Sequence, residues 1–190
     1  MELASHIDSF KKLGHAVLAV NNLKEVDKIK TYLANQFRVE YQFEGSDDWI
    51  LNNAHTAEKA MNDIIANRIV LSLISKFKRK YNMDEIVYES APLFLDYFLG
   101  QDVASQRNPN IVFQYPGSMR YSELHTDAPA NSLYELVCWL PLVDCYGTKS
   151  FYIIDYEKSR NLLDNYRSNK YETWKEFKND CLKHARHLTI

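Results

Sequence analysis

Cysteine is scarce. Cys138, Cys145 and Cys181 are odd in number and form no C-x-x-C pair, which excludes a disulfide scaffold and a structural zinc site. A reducing cytoplasm suits such a chain. No stretch approaches ~18 uninterrupted apolar residues, and Met1-Glu2-Leu3-Ala4-Ser5-His6-Ile7-Asp8 places charge where a signal peptide is apolar. The expectation is a soluble intracellular protein with no membrane partner. A formal net charge of -2 gives no general attraction to nucleic acid or to an anionic surface. The five glycines are scattered, with neither G-x-x-x-x-G-K-[ST] nor G-x-G-x-x-G among them, so no phosphate loop is present. No G-x-S-x-G elbow supports a Ser/His/Asp hydrolase either.

What remains is a chain of 190 residues, 46% hydrophobic and 25% charged, whose default is one domain with a sizeable core. Tyrosine is frequent at 13 residues, beside 9 Phe and 3 Trp, so core or pocket should be aromatic, with phenol tips left for hydrogen bonds. That composition suits a polar substrate as well as it suits an ordinary core.

Gly14-His15-Ala16-Val17-Leu18-Ala19-Val20 is a short apolar run of the kind a buried strand needs. Asn22-Leu23-Lys24-Glu25 then has the spacing of a helix start, with Leu23, Val26, Ile29 and Leu33 on one helical face. A longer helix is expected from near Thr56 to Lys78-Arg79-Lys80, and another from Asp84 to about Phe98, ending at Gly100 and disturbed by Pro92. From about residue 110 the character changes. Ile111 to Tyr115, Leu133 to Val143 and Ser150 to Ile154 are rich in β-branched and aromatic residues, with turn signals at Pro116-Gly117 and Tyr146-Gly147. The single domain is thus helical to about residue 105 and β-rich from about 110. After Asp155 the pattern is helical again, with Trp174, Phe177 and Cys181 on one face, and Leu188-Thr189-Ile190 could begin a strand.

His125-Thr126-Asp127 lies within the β-rich part, just before Pro129. In extended backbone, residues two apart point to one face, so an imidazole and a carboxylate can reach one small ion. With a distant second histidine, such a pair makes the facial triad of a non-haem Fe(II) oxygenase. A lone H-x-D is weak evidence, and its ordinary alternative is a surface turn. Here it stands among Arg120, Tyr121, Ser122 and Glu123, a polar density more typical of a site than of a core.

The motifs Tyr115-Pro116-Gly117-Ser118-Met119-Arg120, His125-Thr126-Asp127-Ala128-Pro129, Trp139-Leu140-Pro141-Leu142-Val143-Asp144-Cys145 and Thr148-Lys149-Ser150-Phe151-Tyr152 make residues 114–152 resemble a known family. It is the phytanoyl-CoA-hydroxylase-like branch of the 2-oxoglutarate, Fe(II)-dependent oxygenases, and especially its small bacterial members in carbohydrate-biosynthesis clusters. The resemblance implies an α+β fold, a double-stranded β-helix (jelly roll, incomplete if later strands are absent) with flanking helices mostly N-terminal. It implies Fe(II) on His125 and Asp127, with 2-oxoglutarate touched by Gln114 and lined by Trp139. The implied reaction hydroxylates a small polar substrate, such as a sugar or polysaccharide precursor, and releases succinate and CO2. Arg120 could grip an anionic substrate group in a two-pronged fashion. Tyr121 and Glu123 share a face with His125 if the strand is regular there, so either could orient a substrate hydroxyl. Lys149 enters only through the motif.

The chain departs from the family pattern in one respect. The family has a second histidine on a later strand and an arginine beyond it for the co-substrate. Only His184 and His187 follow Asp127, in a stretch that reads as the basic end of a helix. The expectation is an N-terminal part of a longer oxygenase, or a shortened relative. His6, His15 and His55 precede the motif and are expected to be structural or at the surface, His15 as a hydrogen-bonded core histidine. Two other functions compete with the oxygenase. One is a catalytically inactive relative acting as a binding or scaffold protein. The other, ranked last, is a cupin-type lyase or isomerase, since jelly rolls host many chemistries. The oligomeric state has no signature in the sequence.

Overall fold

The computed structural model describes residues 2–19, 23–56, 62–80, 83–100, 102, 104, 112, 123–125 and 135–188. They fall into two compact units, one made of residues 1–18 with 144–190 and the other of residues 19–143.

In the second unit, α2 (Leu23–Tyr41), α3 (Asp47–Asn53), α4 (Asp63–Lys80), α5 (Met83–Ser90) and α6 (Pro92–Leu99) follow one another. The face set by Val26, Ile29 and Leu33 is buried, as their helical spacing requires. Ile29, Leu33, Ala34 and Phe37 of α2 meet Ile50 and Leu51 of α3, Ile65 and Ile69 of α4 and Ile86 of α5 in one core. Asn62 caps α4, its Oδ1 accepting from the amides of Ile64 and Ile65 at 3.1 Å each. Pro92 occupies the first turn of α6, where its missing N–H costs nothing, and Gly100 ends that helix at φ +81°. The helix expected over residues 84–98 is therefore two, broken at Ala91.

Helix α3 starts with Ser46, whose hydroxyl accepts from the Trp49 amide at 3.3 Å. Asp47 beside it ties α2 to α3: it accepts from Thr31 Oγ1 at 2.5 Å and from Arg38 Nη2 at 2.7 Å. The Thr31 hydroxyl, then Arg38, hold the Asp47 carboxyl below the usual carboxylate range. A depressed carboxyl contributes stability above its unfolded-state value, near pH 4, and loses that contribution as pH falls through the lower folded value. Asp47→Asn is thus expected to destabilise the unit at pH 7, and to make unfolding less sensitive to acid below about pH 4. Denaturant midpoints measured at pH 3 and pH 7 check it, and an unchanged acid dependence counts against the assignment.

In the first unit, α1 (Glu2–Leu13), β1 (Tyr152–Ile153), α7 (Tyr156–Arg167), α8 (Trp174–His184) and β2 (Arg186–His187) pack together. The strands are antiparallel, Tyr152 opposite His187 and Ile153 opposite Arg186. The pairing runs on past β2, because the Leu188 amide donates to the Phe151 carbonyl at 3.1 Å. Leu162 of α7 and Phe177 and Cys181 of α8 are buried, while Trp174 is 47% exposed.

Three corrections follow. The described residues are mostly helical with one two-stranded sheet, so the jelly roll is not the fold. Residues 135–143 form no ladder among the described residues, and Leu142 and Val143 instead pack on the helical core of their unit. Strand propensity records a fit to a pleated, half-buried surface, and a helical core satisfies the same apolar side chains. Residues 15–19 also run without strand pairing. The expected strand at residues 111–115 lies, except for Val112, outside the described residues. Among the described residues no helix is long and apolar enough to cross a membrane.

Candidate functional site

His125 is exposed, beside a bend at Leu124. Its Nδ1 lies 2.7 Å from the Glu123 carbonyl oxygen. A carbonyl only accepts, so Nδ1 carries a proton, and in the neutral ring the lone pair is then on Nε2. Histidines that bind metals commonly hold the other nitrogen's proton on a carbonyl or carboxylate in this way, which fixes the tautomer and aims the ring. In donor chemistry the residue therefore fits a metal ligand. Glu123 and His125 flank that bend and not a regular strand, and Tyr121, expected to share their face, lies outside the described residues.

Asp127, Gln114, Arg120 and Tyr121 lie outside the described residues. Trp139 is 45% exposed and so is not a core side chain. Lys149 sits in a short 3-10 turn, Gly147–Lys149, with Nζ 5.2 Å from the centre of the Tyr146 ring. Among the described residues no three His, Cys, Asp or Glu side chains gather as a metal site. Cys145 is buried, and burial, followed by the charge of Asp144, pushes its thiol up, away from nucleophilic use.

His184 does end α8, but His187 does not belong to a helix end. Ala185 turns extended at φ -75° and ψ 141°, and His187 then pairs with β1. The Tyr152 and His187 rings meet across the ribbon with centroids 4.0 Å apart. This ring pair is the aromatic cross-strand contact that steadies short antiparallel ribbons.

Another polar cluster in the first unit was not read from the sequence. Arg186 donates from Nε and Nη2 to Asp155 Oδ1 at 3.2 Å each, and its Nη2 lies 2.8 Å from His15 Nε2. His15 Nδ1 is buried and has no partner among the described residues. Asp155 at a helix start and Arg186 in a basic tail each have an ordinary local meaning, so nothing in their spacing announces the cluster.

No family model, curated protein or solved structure matches the chain.

Proposed function

We propose that residues 114–139 provide the iron-binding part of a 2-oxoglutarate, Fe(II)-dependent oxygenase centre acting on a small polar substrate, of which a sugar or polysaccharide precursor is the leading class. The observation that carries this reading is the hydrogen bond between His125 Nδ1 and the Glu123 carbonyl at 2.7 Å, which leaves Nε2 as the donor atom. His125 and Asp127 hold the metal. When bound, iron with 2-oxoglutarate supplies the activation of O2 that hydroxylates a C–H bond and releases succinate and CO2. Gln114 and Trp139 position 2-oxoglutarate, and Arg120 and Tyr121 contact substrate. The site works in a reducing cytoplasm, where Fe(II) persists.

Anaerobic titration of the full chain with Fe(II), followed on ring signals of 15N-labelled histidine, tests it. The paramagnetic ion is expected to broaden His125 at concentrations that leave His6, His15 and His55 sharp. Broadening of all histidines alike, or of none, overturns the reading. A metal-independent sugar-binding protein is the second reading, favoured by the half-exposed indole of Trp139, which offers an apolar face to a sugar ring. Sugar binding without added metal, unchanged in His125→Ala, would select it.

A further inference from the structure

His15 and Arg186 share a hydrogen bond within the first unit. His15 follows Gly14, whose positive φ of +81° turns the chain out of α1, and a Cβ at Gly14 would stand 3.1 Å from that of Tyr156. The turn places His15 Nε2 2.8 Å from Arg186 Nη2. A guanidinium has no acceptor and does not lose its proton, so the bond exists only while Nε2 is bare. Arg186 is at the same time held by Asp155, and it occupies one of the two paired positions of β2. A two-residue ribbon is marginal by itself in water, so its register depends on what grips its ends.

We infer that His15 is an acid-sensitive clasp, which holds β2 on β1 through Arg186 while its Nε2 is unprotonated and releases it when that nitrogen takes up a proton. The inference is independent of the iron site. Protonation sets an N–H against the N–H groups of Arg186, a cation facing a cation. Among the described residues, the following groups face His15. From β2 comes Arg186; Asp155, just before α7, is already engaged by that guanidinium. From α7 comes the backbone and Cβ of Tyr156 against Gly14, and from α1 the neutral Ser9, whose hydroxyl donates to the His15 carbonyl at 3.3 Å. Buried Nδ1, which has no partner among the described residues, offers the charged ring no compensating acceptor.

Hydrogen exchange of the Leu188 amide, which donates to Phe151 at the end of the ribbon, reads the clasp directly. After correction for the intrinsic pH dependence of exchange, its protection in the full chain is expected to fall roughly tenfold between pH 7.5 and pH 5, the range in which imidazoles ordinarily titrate. His15→Gln keeps an uncharged acceptor there and is expected to abolish the pH dependence. His187→Gln, which removes the other imidazole on the ribbon, is expected to retain it. Should His15→Gln fail to fold, Arg186→Gln removes the facing cation and is expected to abolish the dependence equally. Protection that does not change with pH in the unmodified chain, or a dependence that survives His15→Gln or Arg186→Gln, overturns the inference.

Discussion

Changing His125 to alanine is expected to lower Fe(II) affinity by more than about a hundredfold, since loss of a group merely supporting a ligand already costs roughly ten- to a hundredfold. The same change should leave stability within about 0.5 kcal/mol, because the side chain is exposed. Glu123→Ala is the instructive control. Glu123 holds the imidazole through its backbone carbonyl, so removing its carboxylate keeps the bond that sets the tautomer. Anaerobic calorimetric titration of both variants checks the pair of outcomes. If Glu123→Ala weakens binding as much as His125→Ala, the carboxylate itself is a ligand and the tautomer argument fails.

Phe37→Ala is expected to cost about 3–5 kcal/mol, the usual range for emptying a buried phenylalanine site. Phe37 is 1% exposed, among Ile29, Leu33, Ala34, Ile50 and Ile65, and its ring stacks on Tyr41 with centroids 6.2 Å apart. A domain's whole stability is about 5–15 kcal/mol, so this one change removes a large share of what holds the helical unit together. Val39, two residues along the same helix and 83% exposed, gives the contrast: Val39→Ala should stay within about 0.5 kcal/mol. Urea midpoints measure both, with an unchanged slope showing that the denatured state is the same. A cost below about 1 kcal/mol for Phe37→Ala would mean that the α2, α3 and α4 faces do not share one core.

The helical unit was legible where side chains repeat on one face. The buried stripe of α2 and the basic end of α4 at Lys80 follow from spacing alone. Helix α1 was not foreseen, although Leu3, Ile7 and Phe10 recur on one face at helical spacing; none of its residues is fully buried. Helix α3 is seven residues long, too short for periodicity, and its one signal is the Ser46 cap. The strand reading at Ser150 to Ile154 holds β1, whereas those at residues 14–20 and 133–143 failed for another reason. A short apolar run suits a buried strand and an extended segment lying on helices equally, and residues 15–19 and 135–143 join no strand ladder among the described residues. At His187 the local composition pointed to a helix end, whereas a partner in distant β1 decided the matter. In the proposed site, His125 and Asp127 are readings from the sequence, of which His125 alone lies among the described residues. The carbonyl that sets the His125 tautomer was not, since a backbone acceptor has no signature in residue type.

The most direct measurement is succinate release by the purified full chain supplied with Fe(II), 2-oxoglutarate and O2, set beside the same chain carrying Asp127→Ala. The oxygenase reading predicts iron-dependent succinate from the unmodified chain and none above background from the variant. No succinate from either, or equal amounts from both, would contradict it.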